Sequence, residues 1–461
     1  MEPFDLVIKG NVVLEDRMEH SYIGVQSGKI KKISPIHLPL HGKREIDYGN
    51  HYVFPGAIDV HVHCFSNPKE GFIKTSASAA VGGVTTFLDM PYDLPNPINN
   101  VKEFNRKVEL LEKEAIVDIG LWGTISKWNG SDEIVNLAKA GAMSFKMSTF
   151  ETDPYRFPKI PDYEILKAMK KLNEVDLVVA FHSENDEIIK QLIQEYQESN
   201  KVYPKAHTET RPPVTETSSV LQLMEFAYWT NAKLHIAHVS HPRTIDLIQQ
   251  FREQGVQVTC ETCYPYLLLD IDDLEQQGPK AKMNPPLRET EDVNRMWQHL
   301  QAGKIDLISS DHAPWEKEKK VIGNENIFRS ASGLSGLEII VPLMYDSIVS
   351  EGKLSPVQFA KVMAQHPAEV FSIPNKGKIS EGYDADFFVI NPNEYWEVDE
   401  TKFQSNSKMT PFHGKKLKGK IVETIVRGTT VYDGNKVVVN PGFGNFIKGS
   451  AAQQAPHLHT Y

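Results

Sequence analysis

Apolar and polar positions change rhythm along this chain, and the change divides it into three stretches. Near the N-terminus apolar residues alternate with polar ones over short runs. Residues 5–11 are strand-like and end at a Gly10-Asn11 turn, with 11–14 as the return strand. Residues 22–26 and 29–33 flank Ser27-Gly28, a two-residue hairpin signal. The same texture comes back near the other end, in residues 384–390, 421–426 and 429–432, punctuated by Arg427-Gly428 and Asp433-Gly434. Between these ends the rhythm differs. Eight nearly continuous apolar runs, at 57–63, 84–90, 116–122, 142–147, 176–182, 233–239, 256–262 and 305–311, alternate with helix-compatible stretches such as 101–114, 163–172, 185–196 and 220–228.

Repeated strand–helix units imply a parallel sheet covered by helices on both faces, which is why its strands carry few polar positions. Eight units over 55–377 predict an α/β fold, a (β/α)8 TIM-like barrel. An open doubly wound sheet is the alternative, but no Gly-rich dinucleotide loop follows the first run. The two β-rich ends, 1–54 and 378–445, are expected to form one small discontinuous β-sandwich domain, with 446–461 as a C-terminal tail.

Composition narrows the function classes. The chain has 461 residues and a formal net charge of −10, which argues against nucleic acid as a partner. No run approaches a membrane span, and Met1-Glu2-Pro3-Phe4-Asp5 lacks the pattern of a secretory signal, so a cytoplasmic protein is expected. The three cysteines, Cys64, Cys260 and Cys263, give no disulfide framework. Cys260-Glu261-Thr262-Cys263 is formally CxxC, but it lacks a second pair and reads as core packing.

In a parallel barrel the chemistry sits at the C-terminal strand ends. The first run ends in His61-Val62-His63, and residues i and i+2 of a strand share a face. In isolation two such histidines fit an ordinary strand. The fourth run ends near Lys146, the fifth in His182, the sixth in His238 and the eighth in Asp311. Nitrogen and oxygen donors of this kind suit Zn²⁺ or a similar divalent ion. Lys146 fits a lysine snorkelling from a strand end. It also fits a desolvated, neutral amine able to take up CO₂ as a carbamate and become an anionic ligand. His235 lies an odd number of residues before His238, so it is expected to face away as a structural residue. His312, beside Asp311, fits a supporting role equally well. Glu184 and Asn185 read as helix-start residues, and 315–320 as a solvated loop.

This set resembles the cyclic amidohydrolases: hydantoinases, dihydropyrimidinases, allantoinases and dihydroorotases. The likeness extends through 80–86 with Met90-Pro91, 141–146, 182–185, 284–288, 310–314, 332–338, Thr410-Pro411-Phe412 and 441–444. The resemblance implies two divalent metal ions, with His61, His63 and Asp311 on the more buried one and His182 and His238 on the other. A carboxylated Lys146 would bridge them, and Asp311 would double as the general base. It implies a small cyclic ureide as substrate and a homo-oligomer, dimer or tetramer. It also implies that the substrate ring is held largely by backbone groups, here at Asn284 and Ser332.

Ring specificity follows from departures. Dihydroorotases similar to this chain carry an arginine two positions after the second histidine, where Phe65 stands. Dihydropyrimidinases and D-hydantoinases place a tyrosine five residues after the lysine; Glu151 stands there, preceded by Phe150. Allantoin is therefore the expected substrate, with 5-substituted hydantoins the alternative, and Phe65 and Phe150 the expected substrate contacts. A non-enzymatic scaffold relative is disfavoured, because every ligand position is filled.

Overall fold

The computed structural model describes residues 3–453. All eight apolar runs form parallel strands: β5 (Ala57–Val62), β6 (Val84–Asp89), β7 (Asp118–Gly123), β8 (Ser144–Ser148), β9 (Val179–His182), β10 (Leu234–Ile236), β11 (Val258–Cys263) and β12 (Leu307–Ser309). They pair in sequence order from β5 to β12. Just past β12 the backbone closes the ring on β5, with His63 N donating to His312 O at 2.8 Å and His312 N to His61 O at 3.3 Å. Ile58, Val60, Leu88, Trp122, Ala180 and Leu307, drawn from strands all round the ring, pack into one cluster with Phe371 and Ile373. Burial on both faces explains the unbroken apolar runs.

Between strands the helices start where their capping chemistry puts them. The helix Val101–Glu114 begins at Asn100, whose side chain accepts from Glu103 N, and buries Phe104, Lys107 and Leu111 on one face. Asn185 caps Asp186–Glu198 in the same way, through Ile188 N.

Both chain ends contribute to a seven-stranded sheet. It comprises β1 (Phe4–Val13), β2 (Met18–Gln26), β3 (Lys29–Pro35), β4 (Gly42–Pro55), β13 (Phe387–Glu397), β14 (Lys416–Val426) and β15 (Thr429–Tyr432), in the order β15-β14-β13-β4-β1-β2-β3. Only β1 and β4 run parallel. Rather than two separate sheets, this single sheet curls until Ile30 of β3 bonds backbone to backbone with Tyr383, just ahead of β13. Leu6, Ile8, Ile23, Val53, Phe387 and Ile425 then share one core. The Gly10-Asn11 turn does not form. β1 runs straight through it, because Gly10 pairs with Ser21 of β2 and the irregularity is absorbed as a register shift against β4. Two of the three other turn signals form turns with positive φ at both residues, Ser27-Gly28 and Arg427-Gly428, and Gly434 of the third also has positive φ.

Two joints fix this sheet to the barrel. β4 leads into β5 through Gly56, where a Cβ would lie 2.0 Å from Thr85 Oγ1, so only glycine fits. The buried Lys376 ammonium binds Asp118 of β7 at 2.8 Å, Asp384 at 3.0 Å and Asp386 at 2.5 Å, and Arg427 also pairs with Asp118. Residues 446–447, in the expected tail, form β16 (Phe446–Ile447) beside β7, and Ser450–Gln453 is helical. His457 and His459 lie outside the described residues. No helix among the described residues is long and apolar enough to cross a membrane.

Candidate active site

The barrel rim gathers the sequence-selected residues into one place. His61 Nε2 and His63 Nε2 each lie 3.3 Å from Asp311 Oδ1. His182 Nδ1 and His238 Nε2 are 3.0 Å apart. The His61 ring is 5.3 Å from the His238 ring, so the two groups adjoin. Lys146, 1% exposed, has an Nζ with no hydrogen-bond partner. Burial pulls its ammonium down to about 8. Burial likewise pushes His63 down to about 4 and His238 well below the usual histidine value, so both offer neutral lone pairs near neutral pH. Burial alone would raise Asp311, but His61 and His63 overcome it and hold the carboxyl at about 2.

The donor set fits metal ions. Two ligands about 2.0–2.1 Å from one tetrahedral zinc stand about 3.3 Å apart, the spacing found around Asp311. The other nitrogen of His61, His182 and His63 is also engaged, whereas His238 Nδ1 has no partner among the described residues. His61 Nδ1 meets Glu261 Oε1 at 2.5 Å, His182 Nε2 meets Glu184 Oε2 at 2.8 Å, and His63 Nδ1 lies 3.2 Å from Ser66 Oγ. A carboxylate accepts from the ring N–H and thereby leaves the opposite nitrogen bare toward the cluster. The orphaned Nζ of Lys146 suits an amine whose partner is added by carboxylation.

Several supporting residues escape a reading of the sequence. Glu261 sits inside the CxxC stretch, fully buried. It accepts from His238 N at 3.3 Å as well as from His61, and His235 Nε2 approaches it at 3.5 Å. Burial would raise this carboxyl, but His61 and His235 hold it well below the usual range. His235 therefore points inward, contrary to the parity argument. β10 stops at Ile236, and His238 has a φ of 39°, so strand alternation does not reach from one histidine to the other. Asp311 also has a positive φ, 45°, a backbone strain often found where function fixes a side chain. Glu184 is no helix-start residue; it links His182 to Arg211, whose Nε lies 3.3 Å away. The His312 side chain lies outside the cavity lining. His312 closes the barrel, and its Nδ1 accepts from Gly336 N at 3.1 Å.

Over the cluster opens a cavity of about 490 Å³. Asn284 and Ser332 line it, as do all six candidate ligands. Phe65 and Phe150 do not. Phe65 packs edge-on against Phe72 at 4.9 Å, and Phe150 is covered by the Arg211 guanidinium at 5.3 Å. Glu151 turns outward to pair with Lys127. From the same loop Thr152, Arg156 and Phe157 face the cavity instead. Nor is 315–320 simply solvated. Trp315 lines the cavity and donates to Ser332 O at 2.8 Å, while Lys320 is buried and donates to Lys282 O at 3.0 Å.

Comparison with known proteins agrees with this geometry. Residues 52–431 match the model of the amidohydrolase family, a family that is generally metal-dependent. An allantoinase of Desulfitobacterium hafniense (strain Y51) is 35% identical over 446 residues, covering 96% of this chain and 98% of its own. An L-hydantoinase of Paenarthrobacter aurescens is 32% identical over 450 residues, with the same coverage. Among solved structures, an L-hydantoinase (dihydropyrimidinase) from Arthrobacter aurescens superposes with a TM-score of 0.94 at 32% identity, covering 96% of this chain and 100% of that one. A D-hydantoinase structure gives 0.90 at 29% identity, covering 97% and 99%. Barrel, rim residues and relatives converge: the chain belongs to the amidohydrolase family, in its hydantoinase and allantoinase branch, and is a cyclic amidohydrolase.

Proposed function

We propose that this enzyme opens allantoin to allantoate, using two divalent ions, most simply Zn²⁺. His61, His63 and Asp311 would hold one ion, His182 and His238 the other, and a carboxylated Lys146 would bridge them. The observation that carries this reading is the convergence of five ligand-type side chains around a buried lysine whose Nζ has no partner. When bound, such ions lower the pKa of a water and polarise a carbonyl. Asp311, a carboxylate at neutral pH, accepts the proton of the attacking water. The water oxygen bonds to the ring carbonyl carbon, and the C–N bond breaks. Asp311 then returns the proton to the departing ring N–H, which leaves as a ureido NH2, and the new carboxylic acid releases the water's second proton to solvent. Asn284 and Ser332, on the cavity wall, would hold the ring through backbone groups. The cationic lining contributed by Arg156 and Arg211 supports a polar ring substituent.

A second reading, a hydantoinase acting on 5-substituted hydantoins, draws on the apolar lining from Phe157, Ile193 and Phe328 and on the likeness to L-hydantoinase. Three buried free thiols support a reducing, cytoplasmic setting, and exposed Tyr163, Tyr228 and Trp229 support a homo-oligomer. Metal analysis joined to hydrolysis assays on allantoin, hydantoin enantiomers, dihydrouracil and dihydroorotate tests the proposal. Turnover of dihydroorotate alone would overturn it.

A further inference from the structure

The loop between β8 and the helix Asp162–Glu174 is built to hold one guanidinium still. Asp153 Oδ1 accepts from the backbone N–H of Tyr155 at 3.0 Å and of Arg156 at 2.7 Å. Phe157 N donates to Asp153 O at 3.1 Å, and Ile160 N returns the chain to Ser148 O at 2.9 Å. The Phe157 ring stacks on Tyr92 at 3.6 Å and lies 5.8 Å from the His182 ring. Arg156 Nη1 donates to Tyr92 O at 2.7 Å and reaches Ser66 Oγ at 3.5 Å, the same hydroxyl that approaches His63.

What remains unspent on Arg156 is the informative part. A guanidinium has five N–H donors in a fixed fork. Only those on Nη1 find protein acceptors; Nε and Nη2 have none among the described residues. Nor does any carboxylate among the described residues come within ion-pair contact of Arg156; Asp153 and Asp93 act on it only from further off. The side chain is half-buried and lines the cavity. Across the same cavity, the terminal nitrogens of Arg211 also lack a protein acceptor, and Asp311 is the one carboxylate in the lining. A cation fixed in place with free donors and no carboxylate in ion-pair contact is complementary to an acceptor supplied by a ligand.

We propose that Arg156 is a substrate-binding residue that reads an oxygen acceptor on the ring substituent. The substrate class is then a cyclic ureide whose substituent carries a carbonyl or carboxylate oxygen, not an alkyl or aryl group. This rests on the cyclic-ureide reading above and sharpens it. Arg156 supplies a cation from the loop after Lys146, where the arginine that Phe65 replaces is missing.

The experiment compares wild type and Arg156→Met, both metal-loaded, on four substrates: allantoin, hydantoin-5-acetic acid, 5-isopropylhydantoin and unsubstituted hydantoin. Loss of a charge-assisted hydrogen bond predicts a fall in kcat/KM of about 10- to 100-fold on the oxygen-bearing substrates, carried mainly by KM. The fall on hydantoin and 5-isopropylhydantoin is expected to be at least about tenfold smaller. Arg156→Lys, which keeps the charge but loses the fork, should recover part of the difference. Preference for allantoin identifies a ureido carbonyl; preference for hydantoin-5-acetic acid identifies a carboxylate. An equal fall on all four substrates, or none on any, overturns the proposal. Should the wild type open none of them, the ureide-hydrolase reading fails. Calorimetric titration of both proteins with allantoin and with hydantoin-5-acetic acid then decides Arg156 by itself, and equal affinities would refute its role.

Discussion

Replacing Glu261 by Gln tests whether the metal site is organised from outside its ligands. The carboxylate is buried and serves His61 Nδ1, His238 N and, more distantly, His235. A hydrogen bond to a charged acceptor contributes about 1.5–3 kcal/mol, a neutral one about 0.5–1.5. The exchange therefore removes about 1–1.5 kcal/mol of preference for the bare-Nε2 tautomer of His61. A glutamine also has one acceptor oxygen for three claimants, and its amide N–H would face a ring N–H or a backbone N–H. Supporting residues of this kind typically cost 10- to 100-fold in metal affinity, and about that loss is expected here. The assay strips metal from wild type and variant, then titrates zinc in competition with a chromophoric chelator. Thermal melts by circular dichroism of the metal-free proteins separate loss of affinity from loss of fold. Glu184→Gln, acting on His182, is the companion variant and should weaken the second ion in preference. Zinc affinity within about twofold of wild type for Glu261→Gln would refute the reasoning, because the carboxylate would then be packing material and not the orienter of His61.

Lys146→Ala should abolish tight binding of two ions together with activity, and ¹³C-bicarbonate should label a carbamate in wild type only; an unchanged metal content would remove Lys146 from the bridge. Lys320→Met probes the segment over the cavity. Burial lowers this ammonium to about 7, against about 10.5 when the segment is undocked. Between those values the undocked form binds more protons, so Lys320 favours docking above its ordinary value and loses that contribution as pH falls toward 7. The gap amounts to about 5 kcal/mol at most. Wild-type melting or proteolysis at 315–331 should thus show stability rising with pH between about 7 and 10, and Lys320→Met should flatten that slope; an identical slope would refute the assignment.

How much of this was legible beforehand depended on which force fixed each feature. The barrel strands announce themselves because a parallel sheet covered on both faces leaves few polar positions, so burial writes directly into the sequence. The rim ligands follow, since strand ends are where barrel chemistry gathers. Gly10-Asn11 misled because glycine there serves a long strand's irregularity against β4, a tertiary circumstance that turn chemistry does not encode.

The site's supporting residues were hidden for a different reason. Glu261 looks like the spacer of a CxxC, and Glu184 like a helix-start acid; their roles exist only because β11 passes His61 and because Arg211 arrives from another loop. The parity that fails between His235 and His238 fails at a positive-φ residue, and Asp311 is another. Both are ligand candidates at strand ends, where the chain must aim a side chain into the rim while leaving the strand. The same holds for specificity. A fixed count from Lys146 selected Glu151, whereas the turn built on Asp153 carries Arg156 and Phe157 into the cavity and lets Glu151 pair outward with Lys127. Counting along a strand succeeds because its geometry is regular. Counting into a loop fails because a handful of side-chain to backbone hydrogen bonds decides which residue faces the ligand.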